Sequence, residues 1–171
     1  FEGYHEPRAM TQADIDQVVH DFTAAARRAV AAGFDVIEVH AAHGYLLHEF
    51  LSPLANHRTD AYGGDFDNRI RLTCDVVTAV RAVVPADRAL FVRLSATDWI
   101  DGGWSLEHST ALARELHARG VDLVDWKFTS AYSTMLNKED WEKQLNCYAF
   151  LVRKAKGLKV RHLHVCAIIR D

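Results

Sequence analysis

His40, His43 and Tyr45 stand together in the run HAAHGY, two imidazoles three residues apart and a phenol two residues further on. Imidazole N–H groups at that spacing can converge on one acceptor, as in a hydrogen-bonding clamp on a carbonyl or carboxylate oxygen, and the tyrosine can give a proton. A structural role fits the spacing equally well, with the histidines satisfied in a cap or loop and Tyr45 in the core. His40, His43 and His48, with Glu49 nearby, also offer metal ligands. HxxH is not the HExxH spacing that sets two ligands and a base on one helix face, however, and no cysteine is placed to help, so no metal is expected.

Arg93 lies inside FVRLS, where strand alternation puts Phe91, Arg93 and Ser95 on one face and Val92 and Leu94 on the other. A guanidinium in the interior of an α/β protein is costly unless it meets an anion or an array of acceptors. Its partner is either a bound anionic cofactor or Glu38, which alternation places on the same face as His40. Neither Gly63-Gly64 nor Gly102-Gly103 opens a GxGxxG or GxxxxGK[ST] loop, and no GxSxG is present, so common nucleotide loops and a serine nucleophile are unsupported. The basic run RKAKGLKVRHLH, 153–164, has few aromatics and reads as a solvated helix end and turn, not an RNA site.

The elements that must position these residues follow from periodicity. Thr11 and Asp14 form a capping-box pattern, and Ile15, Val18, Val19, Phe22, Ala26 and Val30 recur at helical spacing up to Gly33. FDVIEV, 34–39, reads as a strand that ends just before His40. Residues 52–68, with Pro53, Asn56, Asp60, Gly63 and Gly64, read as a long loop, and such loops in compact domains are more often functional than idle. A helix over 69–84 ends at Pro85, a strand covers 89–94, Ser105 caps a helix through Arg119, and 121–125 is a third strand. In the last third, Asn137 caps a helix over 138–156, and a strand closes the chain near 163–169. The alternation implies an α/β fold with parallel strands and right-handed crossovers, in which catalytic groups gather at strand C-terminal ends.

With 171 residues, 49% hydrophobic and 25% charged, the chain can bury the core of one ordinary domain, which excludes disordered and collagen-like classes. A net charge of −3 argues against a dedicated nucleic-acid binder or a membrane-surface protein. Apolar runs are too short to span a bilayer and the FEGYHEPRAM start has no signal-like pattern, so a cytoplasmic chain is expected. Three cysteines, Cys74, Cys147 and Cys166, are far apart with no CxxC, so neither a disulfide framework nor a zinc knuckle is supported. Residues 1–126 hold 11 Arg and no Lys, whereas 127–171 hold 6 Lys and 3 Arg, an abrupt change best read as a join between sequences of different origin.

Taken together, PRAMTQADID, AGFDVIEVHAAHGYLLHEFLSPLANHRTDAYGG, NRIRL, LFVRLSATDW and GVDLVD resemble the Old Yellow Enzyme family of flavin-dependent ene-reductases and related NADH:flavin oxidoreductases, especially its bacterial branch. The resemblance covers about residues 7–125 and implies part of an FMN-binding (β/α)₈ TIM barrel, from about the third helix to the sixth strand. Residues 1–125 are then the barrel segment, and 126–171 a divergent tail with a helix and a strand. The resemblance assigns His40 and His43 to the substrate's carbonyl oxygen, Tyr45 to proton donation and Arg93 to the flavin ring. It implies NAD(P)H as reductant and a small enone-type substrate, with SPLANHRTDAYGG as scaffold. The rival expectation is a catalytically silent fragment or hybrid serving as a scaffold or interaction module. Weak FMN binding and self-association through open strand edges are expected of the segment alone.

Overall fold

The computed structural model describes residues 8–121, 127–129 and 167–169. The chain divides into two compact units, residues 1–121 and 122–171. In the first, α1 spans Gln12–Ala31 behind the Thr11 N-cap, and the capping box with Asp14 is formed. Arg8 donates to both Asp14 carboxylate oxygens at 2.6 and 2.7 Å. That hydrogen bonding, followed by the bonds from Thr11, holds the Asp14 carboxyl well below the usual carboxylate range.

β1 spans Val36–Ala41, two residues later than FDVIEV suggests. The displacement comes from the end of α1: Gly33 turns left-handed, and the Phe34 N–H donates back to the Ala29 carbonyl, so Phe34 still belongs to the helix stop. A short helix that periodicity did not reveal, α2, follows at Leu46–Leu51. Four of its six residues are buried, which leaves no polar face to mark a period. α3 spans Phe66–Arg81, starting three residues before the expected Arg69 and stopping before 84. β2 spans Ala89–Leu94 as expected. α4 spans Leu106–Ala118, capped by Ser105 in a box closed by His108.

β1 and β2 pair in parallel, with Val36 opposite Ala89 and His40 opposite Arg93. The pleat then sorts the side chains. Ile37, Val39, Ala41, Leu90, Val92 and Leu94 join the hydrophobic core beneath the helices, where Leu72, Val76, Val77, Leu90 and Leu112 are essentially inaccessible. Burial of each such side chain contributes about 1.5–3 kcal/mol. Helix α3 is the centre of this layer, packed against α1, α2 and α4. The opposite face of the strand pair carries Glu38, His40 and Arg93 together with Phe91, which is buried.

In the second unit, β3, Lys127–Thr129, pairs in parallel with β4, Ala167–Ile169. Val121 is not in a strand, and the rest of the strand expected at 121–125 lies outside the described residues. So does the helix expected at 138–156, whereas 167–169 of the expected closing strand are indeed strand. Among the described residues, no helix is long and apolar enough to cross a membrane.

Candidate active site

His40 is inside β1, one residue from its C-terminal end, and does not follow the strand as the motif alone suggests. Ala41 and Ala42 are wholly buried, so the chain tucks against the core before it re-emerges at His43. His43 and Gly44 then take left-handed backbone conformations, φ 61° and 74°. At Gly44 this is free of Cβ strain, whereas at His43 it is maintained only by the surroundings. The His43 N–H donates to Ser95 Oγ at 2.9 Å and the Gly44 N–H to His48 Nδ1 at 2.8 Å. Tyr45 becomes the N-cap of α2 with a β-region backbone and no side-chain capping bond, which leaves its hydroxyl unused by the cap.

The result is one aromatic cluster. The His40 ring centroid lies 5.1 Å from that of His43 and 5.5 Å from that of Tyr45. His40 is half-buried, while His43 and Tyr45 are exposed. The three residues that the sequence singles out are therefore brought together at a strand end, two of them exposed.

Arg93 stands beside them as the cross-strand partner of His40. Among the described residues Arg93 is exposed and not interior. It lies on the face of the strand pair opposite the helices, and Glu38 on that face is exposed too. Among the described residues no ion pair joins Arg93 to Glu38.

Beneath the cluster lies a polar network that sequence reasoning missed. His48 Nε2 sits 3.0 Å from Asp98 Oδ1, and both side chains are about nine-tenths buried. The other Asp98 oxygen accepts from Ser52 Oγ and from the Trp104 N–H, each at 2.7 Å. Burial alone would push the Asp98 carboxyl up. The Ser52 and Trp104 hydrogen bonds and the His48 ring outweigh it, so its pKa lies below the ordinary value. A carboxylate four residues past the end of β2 was the available signal, since chemistry collects beyond strand C-termini.

Asn56 ties the loop after α2 to itself and to the end of that helix. Asn56 Nδ2 donates to the Phe50 and Tyr62 carbonyls, each at 2.7 Å, and its Oδ1 accepts from the Arg58 N–H. Buried Arg69 donates to the Leu51 and Gly64 carbonyls. Gly63 has no room for a side chain, because an added Cβ would fall 2.2 Å from the Arg58 carbonyl oxygen. Burial pushes the Cys74 thiol up, which keeps it a thiol on α3. No cluster of three or more His, Cys, Asp or Glu side chains suited to a metal occurs among the described residues.

Comparison with known proteins places the chain in a family. The model described as the NADH:flavin oxidoreductase / NADH oxidase family matches residues 2–166, past the point near Asp125 where the motif resemblance ends. An NADH:flavin oxidoreductase of Gibberella zeae is 50% identical over 129 residues, covering 70% of this chain and 31% of that protein. An NADPH dehydrogenase of Bacillus velezensis is 50% identical over 119 residues, covering 70% and 35%. Among solved structures, morphinone reductase in complex with tetrahydroNAD superposes with TM-score 0.61 at 40% identity, over 67% of this chain and 32% of that one. The old yellow enzyme homologue from Zymomonas mobilis gives TM-score 0.61 at 38% identity, over 69% and 34%. The chain thus spans about a third of the length of these relatives. It belongs to the NADH:flavin oxidoreductase / NADH oxidase family.

Proposed function

We propose that this chain is the substrate-activating part of an FMN-dependent oxidoreductase that uses NAD(P)H to reduce the activated C=C bond of small α,β-unsaturated carbonyl compounds. The observation that carries the proposal is the cluster of His40, His43 and Tyr45 rings at the end of β1, with Arg93 alongside on β2. On this reading residues 1–125 correspond to the third helix through the sixth strand of a (β/α)₈ barrel, and 126–171 form a divergent tail.

The donor set fits a flavin. Arg93 offers an exposed positive charge with no carboxylate paired to it among the described residues, on the same face as His40. An electron-accepting ring that gains negative charge on reduction suits that position. When bound, FMN supplies the hydride for the β-carbon of the substrate.

The chain's own residues supply the rest. His40 and His43 donate hydrogen bonds to the carbonyl oxygen, which draws electron density from the double bond and stabilises the negative charge that develops there. Tyr45, whose hydroxyl is not used in capping α2, gives its proton to the α-carbon. Arg93 supplies positive charge for the cofactor. The experiment is an FMN titration of the isotopically labelled chain. Expected are shifts of the His40, His43 and Arg93 resonances at about millimolar FMN, near −4 kcal/mol, and FMN-dependent consumption of a cyclic enone with NADPH or NADH. Unperturbed site resonances at saturating FMN, with no enone consumed, contradict the proposal.

A further inference from the structure

His43 and Gly44 are consecutive left-handed residues, and the amide of each ends on a side chain from another part of the fold or the next helix. Such a turn does not hold itself, since a non-glycine residue in this region persists only when its surroundings determine it. The His48 acceptor has a further requirement. For Nδ1 to accept from the Gly44 N–H, the His48 ring must be neutral and carry its hydrogen on Nε2. That nitrogen is buried beside Asp98 Oδ1 at 3.0 Å, near enough for the carboxylate charge to act on the Nε2–H dipole although the pair is not aligned as a hydrogen bond. Asp98 is itself fixed by Ser52 and the Trp104 amide. A fixed negative charge beside Nε2 favours the tautomer with hydrogen there and so leaves Nδ1 free to accept.

We propose that His48, set in its Nε2–H tautomer by Asp98, is a positioning residue that holds the Gly44 amide and thereby fixes where His43 and Tyr45 meet the substrate. The role in catalysis rests on the ene-reductase reading; the tautomer and the turn do not. Asp98 follows β2, His48 is on α2, and Gly44 follows β1, so the link couples two strand ends through a buried ring. It acts on orientation alone, because neither His48 nor Asp98 belongs to the exposed ring cluster. Groups that support a first layer of functional residues commonly affect activity by about 10- to 100-fold when removed.

The test combines ring-nitrogen NMR, amide exchange and kinetics on the full chain. In the unaltered protein His48 should show the Nε2–H tautomer. His48→Leu should quicken Gly44 amide exchange at least tenfold while Val76 and Val77 of α3 keep theirs, and His48→Asn, whose side-chain oxygen can stand where Nδ1 stood, should restore slow exchange. Asp98→Asn should move His48 towards the Nδ1–H tautomer and release Gly44, which keeps the proposal open to test even where His48→Leu does not fold. In the FMN-loaded protein, His48→Leu should lower the rate of enone reduction about tenfold and leave flavin reduction by NAD(P)H unchanged. An Nδ1–H tautomer in the unaltered protein, Gly44 exchange unmoved by His48→Leu and Asp98→Asn, or enone reduction unaffected by a freed turn, each overturns the proposal. If the unaltered FMN-loaded protein reduces no enone, the ene-reductase reading fails, and the tautomer and exchange results alone decide the positioning claim.

Discussion

His40 and Arg93 are cross-strand partners in the parallel β1–β2 pair, so an imidazole and a guanidinium from distant parts of the sequence stand side by side on the face that the helices leave uncovered. Their proximity is a consequence of register. A slip of one residue would turn one of the two into the apolar layer, where Val39 and Leu90 are buried.

Arg93→Ala should weaken FMN binding about tenfold or more, the effect of one lost charge-assisted hydrogen bond, and should lower the flavin reduction potential. Arg93→Lys should recover the potential better than the affinity, since the charge returns without the planar fork. Fluorescence titration and potentiometry measure the two, and unchanged values in Arg93→Ala would remove Arg93 from the cofactor site.

Asp98 should make stability depend on acid. Its folded-state pKa lies below the ordinary value, so its stabilising contribution is fully present above about pH 4 and is lost as the pH falls through the folded-state pKa. The stability gap between the unaltered chain and Asp98→Asn, read from urea unfolding, should therefore be widest near neutrality and narrow in acid. A gap that stays constant from neutral to acidic pH would contradict this.

The long loop should be sensitive at two positions that do no chemistry. Asn56→Ala removes the donor for the Phe50 and Tyr62 carbonyls and should cost about 2–3 kcal/mol, because those groups are then left unsatisfied. Gly63→Ala forces a Cβ onto the Arg58 carbonyl and should cost about 1–3 kcal/mol. Denaturant midpoints measure both, with no effect expected on the ring geometry of His40 and His43.

Much of this was legible because it is written locally. Thr11 with Asp14 and Ser105 announce their helices through capping chemistry, and the β-branched runs mark both strands to within two residues. HAAHGY could be picked out because three functional ring types cluster beyond an apolar run. What stayed hidden depends on contacts between distant residues. Short α2 lacks a polar stripe, and the His43–Ser95, His48–Asp98 and Ser52–Asp98 links each join groups more than forty residues apart. The exposure of Arg93 depends on which face of the strand pair the helices cover, and alternation within FVRLS is silent on that.

β1 has β2 on one side and, among the described residues, no strand paired along its other edge. Edges of that kind pair with other chains, and concentration-dependent self-association is expected in light scattering. A monomer that persists at high concentration, with cooperative unfolding, would contradict this.

The most direct measurement of the central claim is rapid-mixing kinetics of Tyr45→Phe in the FMN-loaded protein, with the two half-reactions followed separately. Removal of a general acid costs about 10²- to 10⁴-fold in rate. Enone reduction should fall by that much, while flavin reduction by NAD(P)H and affinity for the carbonyl ligand stay near their original values, because the ring, the N-cap position and both histidines are retained. Unchanged enone reduction, with the oxidative step confirmed as the one observed, would contradict the assignment of Tyr45 as proton donor.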